Sequence, residues 1–149
     1  MNQNASSYKK AAILSASPER LIMMLYDGAL DAMRRAKTGF CIENVKIRNE
    51  TISNNLIKAQ NIFAELQRSL RMDMGGEFAE RMFGLYDFYT AQLNEANFKK
   101  EEAPIDTVIG LFSEIRNSWA EMLSKQQVKA ETIAPARGMG VGEAICLRA

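Results

Sequence analysis

Glu50, Glu65 and Glu80 lie on long helical stretches, and carboxylates spaced along helices could together hold two iron ions. That chemistry also needs histidine, in Glu-x-x-His pairs, and the chain contains no histidine. The same absence removes imidazole general bases, Ser-His and Cys-His nucleophile pairs, and every imidazole metal ligand. Cys41 and Cys146 stand far apart and form neither a Cys-x-x-Cys pair nor a metal spacing. Two lone thiols fit a reducing cytosol. The Gly pair of Met74–Gly76 has no following Lys and no preceding strand, so it does not read as a phosphate loop. The remaining acids alternate with Lys and Arg, as on solvated helix faces. No catalytic residue, metal or cofactor is assigned.

The apolar residues carry more information. Of 149 residues, 47% are hydrophobic and 25% charged, which suits one globular domain with one core. A net charge of +1 gives no basic footprint for nucleic acid. The stretch MNQNASSYKK lacks the apolar segment of a signal peptide, and the longest apolar run is far short of a membrane span. The expectation is a cytosolic protein without direct membrane insertion. Nine Met residues suit either core gap-filling or a surface that must adapt to a partner.

Residues 1–16 are polar and small and read as a mobile N-terminal arm, with Tyr8 their one aromatic. Ser17, Pro18 and Glu19 then mark a helix start: an N-cap, a proline where no N–H is needed, and an acid at the positive end of the dipole. This helix reads to about Thr38, with Ile22, Leu25, Ala29, Ala32 and Ala36 as its core stripe. A second helix spans about Val45–Arg71 (Ile52, Leu56, Ala59, Phe63, Leu66, Leu70). A third spans about Glu77–Phe98 (Ala79, Met82, Tyr86, Tyr89, Leu93, Ala96). Met74–Gly76 separates them. A fourth, opened by Pro104, runs to about Ser124 with Ile105, Val108, Phe112, Ile115, Trp119 and Met122. No segment alternates like a strand. The expected architecture is all-α: an up-down antiparallel four-helix bundle over 17–125 with a disordered tail at 126–149.

The helices carry more apolar side chains than one seam needs. Met23, Tyr26, Leu30 and Met33 form a second stripe on the first helix. The third helix adds Phe78, Phe83, Leu85 and Phe88, and the second adds Ile57, Ile62 and Ala64. A helix touching two neighbours has a wide apolar face, and this accounts for each residue singly. An exposed groove for a partner's amphipathic helix accounts for the surplus on three helices together. Composition does not choose between the two. On the groove reading, Met23→Asp or Leu30→Asp loses the partner and keeps helicity.

Four blocks also resemble one family. Tyr8 in the arm precedes Ser17-Pro18 and an apolar run ending Leu25-Tyr26-Asp27-Gly28. LIKAQNIFAEL (Leu56–Leu66), LYDFYTAQLNEAN (Leu85–Asn97) and IRNSWAEM (Ile115–Met122) follow in order. This is similar to the flagellin-specific secretion chaperone family, FliS, over about Tyr8–Leu123, and nothing carries onto the tail. The resemblance implies a cytosolic helical bundle that binds the flagellin C-terminal segment and prevents early polymerisation. It also implies delivery to the type III export gate, through the cytosolic domain of FlhA. Met23, Tyr26, Leu30, Met33, Ile57 and Phe83 are then the candidate flagellin-groove residues. Tyr8 is the arm and export-gate candidate. A helical adaptor for a different helix, such as a regulator of flagellar gene expression, is the alternative.

Overall fold

The structure, a computed structural model, describes residues 2–133. Among these it is all-helical, with no strand and five helices, where four were expected. They are α1 (Asn2–Ser15), α2 (Pro18–Gly39), α3 (Val45–Ser69), α4 (Met72–Lys99) and α5 (Ala103–Ile133).

The additional helix is α1. No Gly or Pro interrupts residues 2–17, and Ala5, Lys9, Lys10, Ala11, Ala12 and Leu14 are good helix formers, so the arm is helical rather than irregular. It stops where the chain must: Ser17 precedes Pro18 and takes the extended backbone (φ −67°, ψ 161°) that proline imposes on its predecessor. The Ser17 side chain then accepts the Arg20 N–H and caps α2, as the Ser-Pro-Glu pattern foretold. Asn44 caps α3 in the same way through the Ile47 N–H.

The Met74–Gly76 break is a kink inside α4 rather than a loop. Gly76 adopts φ 53°, ψ −133°, a conformation open in practice to glycine alone. Gly76→Ala should cost about 1–3 kcal/mol through backbone strain, read as a lower urea midpoint with unchanged helicity. An unchanged midpoint would mean that the kink relaxes.

The chain divides into two compact units, Met1–Arg116 and Asn117–Ala149. Within the first, α3 runs antiparallel to α2: a Cβ on Gly39 would lie 3.0 Å from Ile52 Cγ1, and one on Gly28 would lie 3.4 Å from Ile62 Cδ1. α4 runs antiparallel to α3, with Gln67 Nε2 donating to the Phe83 carbonyl (3.0 Å) and Gln60 Nε2 to the Thr90 carbonyl (3.2 Å). The start of α5 is tied to α2 by Lys37–Asp106 (2.6 Å) and Arg116–Asp27 (2.8 Å). These pairs are exposed and record register more than they supply stability.

The core of this unit is aromatic. Phe112 sets its ring edge-on to Tyr26 (5.2 Å), Phe63 (5.2 Å) and Tyr89 (5.6 Å). The expected stripe of α4 is buried throughout, and that of α3 is buried up to Leu66. On α5, Ile105, Val108 and Phe112 are buried, whereas Ile115, Trp119 and Met122 are half-buried. In the second unit, α5 continues helically to Ile133, past the expected end at Ser124, with Lys125 and Glu121 paired one turn apart (3.2 Å). The rest of the expected tail, residues 134–149, lies outside the described residues.

The stripes of α2 need correction. Met23, Tyr26, Leu30 (3% exposed) and Met33 (0%), read as surplus, are interior. Ile22 and Leu25, read as core, are only half-buried. Ala29, Ala32, Ala36 and Gly39 are buried. Small residues along the α3-facing side let the helices close together over the second half of α2. In the first half the same side carries Leu21, Ile22 and Leu25, which are too large for that approach. The helix therefore turns Met23, Tyr26 and Leu30 inward, and an opening is left beside the larger side chains.

Three tyrosine hydroxyls are enclosed here. The Tyr26 and Tyr86 oxygens lie 3.3 Å apart, one donating to the other. Burial raises the pKa of Tyr26 and of Tyr86 above the ordinary tyrosine value, and pushes that of Tyr89 up to about 12. A raised folded-state pKa means that the native state holds its proton more tightly than the unfolded chain. The associated stability is complete below about pH 10 and falls as pH rises toward 12. The slope is about 1.4 kcal/mol per pH unit for each tyrosine, since the unfolded chain ionises first. Urea midpoints measured from pH 9 to 12 should drop accordingly, and a flat profile would contradict the buried hydroxyls.

Candidate functional site

The opening beside α2 is a groove of about 870 Å³. Its apolar floor comes from Leu21, Ile22, Met24 and Leu25 of α2, with Gly28 lowering one edge. α3 contributes Lys58, Glu65 and Ser69 from a single face, and α1 contributes Lys9, Ala12 and Ile13.

The groove is apolar inside and charged at the rim, and the rim acids are each engaged. Asp27 pairs with Arg116 (2.8 Å), Asp31 with Arg35 (3.0 Å) and Glu65 with Arg68 (2.6 Å). α1 forms one wall without filling the space. Ile13 is still half-exposed, and Leu14 and Tyr8 (80% exposed) do not line it. Such a site has the shape and chemistry to take an amphipathic helix, burying about 25 cal/mol of favourable free energy per Å² of apolar surface. Among the described residues, no three Cys, Asp or Glu side chains come together to hold a metal.

The sequence-derived candidates distribute unevenly over this geometry. Met23, Tyr26, Leu30 and Met33 are interior, so they support the groove from behind instead of lining it. Ile57 (46% exposed) and Phe83 (40%) are on the surface, as are Phe78, Leu85 and Phe88, but none of these lines the groove. Tyr8 is exposed on α1, one residue before the groove-lining Lys9. The residues missed were Leu21, Ile22, Met24 and Leu25. The available signal was the distribution of size along α2: alanines at the α3-facing positions after Gly28, large side chains before it.

Among the described residues no helix is long and apolar enough to cross a membrane. The family model for the flagellar protein FliS matches residues 1–127 of the chain. The flagellar secretion chaperone FliS of Salmonella typhimurium is 36% identical over 117 residues, 78% of this chain and 84% of that protein. The Campylobacter jejuni protein of the same name is 35% identical over 128 residues, 84% of this chain and 93% of that one. The Vibrio cholerae protein of that name is 30% identical over 126 residues, 82% of this chain and 90% of its own length. With the helical groove and a match over most of the chain, the conclusion is direct: the chain belongs to the FliS family of flagellar proteins.

Proposed function

We propose that this protein is a cytosolic flagellar export chaperone that binds the C-terminal segment of flagellin in the α1–α2–α3 groove. It keeps that segment from polymerising and helps deliver it to the export apparatus, through the cytosolic domain of FlhA. The observation that carries the reading is an apolar groove, floored by Leu21, Ile22 and Leu25, whose third wall is the chain's own N-terminal helix. Family membership supports the flagellar setting. The up-down pairing of α2, α3, α4 and the first turns of α5 is the rigid frame for the groove.

The physics suits the task. A flagellin terminus buries an apolar stripe in the filament, so a chaperone covering that stripe opposes assembly by mass action without nucleotide. Folding a disordered segment on binding consumes part of the interaction free energy, which keeps the complex reversible at the export gate. α1 lies along the groove and shifts when a client enters, carrying Tyr8 to the position from which FlhA reads the loaded state. Met23, Tyr26, Leu30 and Met33 serve the groove as its backing, while Ile57 and Phe83 extend the apolar surface that a longer client segment covers. There is no catalytic step in this reading.

The test is polymerisation of purified flagellin seeded in vitro. Equimolar chaperone should abolish elongation, and a flagellin truncated at its C-terminus should leave the chaperone unbound. Undiminished elongation at several-fold excess would refute the reading.

A further inference from the structure

Helix α2 carries two glycines beside α3, and their surroundings differ. A Cβ on Gly39 would lie 3.0 Å from Ile52 Cγ1, 3.2 Å from Thr51 Cγ2 and 3.3 Å from the Ile52 backbone nitrogen, so close packing of the two helices accounts for glycine there. A Cβ on Gly28 would meet one neighbour within 4 Å, the terminal methyl of Ile62 at 3.4 Å, an ordinary van der Waals contact with the end of a side chain that can turn. Gly28 does not have the positive φ that would call for glycine either. Inside a helix glycine is less favourable than alanine at the same place. Neither the backbone nor the packing against α3 therefore requires Gly28.

Gly28 does have a place in the lining of the groove, one turn beyond Met24 and Leu25 and one turn before Asp31. Leu21, Ile22 and Leu25 in the same wall hold the axis of an incoming helix away from α2, and the missing side chain at Gly28 leaves a hollow beyond them. At that separation a hollow is filled by a side chain, as a knob enters a hole between packed helices.

We propose that Gly28 is a specificity-determining residue of the groove, leaving the hollow that receives one large apolar side chain, of the size of Leu, Met or Phe, from the client helix. The inference rests on the client reading above and adds the class of residue the client must present. A methyl group at position 28 takes up part of the hollow, holds the knob off and loses the contacts around it. The same methyl favours the helix. Stability and binding then respond with opposite signs, which a glycine kept only for helix packing would not give.

The test compares Gly28→Ala with Gly110→Ala in the full-length protein. Gly110 is also inside a helix, α5, is exposed, has nothing within 4 Å of an added Cβ, and does not line the groove. Both variants should raise the urea midpoint by about 0.3–0.5 M. In calorimetric titration with a synthetic flagellin C-terminal segment, Gly28→Ala should weaken binding at least about fivefold, and Gly110→Ala should leave it unchanged. Alanine replacement of the peptide's apolar residues in turn should find one position that matters for the wild type and loses most of its effect in Gly28→Ala. A lower midpoint for Gly28→Ala would assign this glycine to packing against α3 and overturn the proposal. Unchanged affinity, an equal loss in Gly110→Ala, or the absence of a coupled peptide position would overturn it as well. Failure of the wild type to bind the peptide would instead overturn the client reading, and this inference with it.

Discussion

Phe63→Ala should lower stability by about 3–5 kcal/mol, the cost of deleting a fully buried aromatic ring that its neighbours cannot replace. Phe63 is fully buried and meets three rings, Phe112 at 5.2 Å, Tyr89 at 5.5 Å and Tyr86 at 6.3 Å. These belong to α5 and α4, so the void would lie where three helices meet and could not close by moving one of them. Domains of this size hold about 5–15 kcal/mol in all, so the variant should sit near the edge of folding at 37 °C. Urea unfolding followed by circular dichroism measures it. A loss below about 1 kcal/mol would show that the aromatic cluster is not the centre of the core.

The second large effect is a contrast. Leu30→Asp places a carboxylate in the interior, where an unpaired charge costs several kcal/mol, and should unfold the chain. Leu25→Asp, about one and a half turns earlier on the groove side of α2, is half-exposed and lines the groove. It should keep the native helicity and cooperative unfolding while weakening flagellin-peptide binding at least about tenfold, since one desolvated charge opposes about 1.4 kcal/mol or more of apolar contact. The reverse outcome, a folded Leu30→Asp that loses client and a Leu25→Asp that binds normally, would restore the stripe assignment that the periodicity first suggests.

That reversal on α2 explains how far the sequence could be read. Helices α3 and α4 each have one dominant stripe, and Ile52, Leu56, Ala59, Phe63 and Leu66, like Tyr86, Tyr89 and Leu93, are buried where the spacing puts them. Local chemistry at Ser17-Pro18 and Gly76 marked an N-cap and a break for reasons confined to a few residues. Helix α2 has two adjacent stripes of similar hydropathy, and periodicity cannot rank them. The ranking comes from neighbours: Ala32, Ala36 and Gly39 admit α3 closely, and Leu21, Ile22 and Leu25 do not. Helix α1 was missed because a polar segment without a strong apolar stripe carries little periodic signal, although nothing in it forbids a helix. Its part in walling the groove depends on a two-residue turn folding it back to α2, which is a tertiary property. Ile57 and Phe83 were recognised as surplus apolar surface, and they are exposed, yet periodicity had no means of placing them relative to a groove defined by three helices.

The most direct test of the account is calorimetric titration of the full-length protein with a synthetic flagellin C-terminal segment, beside a scrambled control, at several temperatures. The account predicts saturable binding at one site, a negative heat-capacity change from apolar burial, a gain of helicity in the peptide, and loss of all three in Leu25→Asp. Absence of binding well above micromolar concentration, or equal binding of the scrambled peptide, would contradict a flagellin-specific groove and favour an adaptor for a different helix.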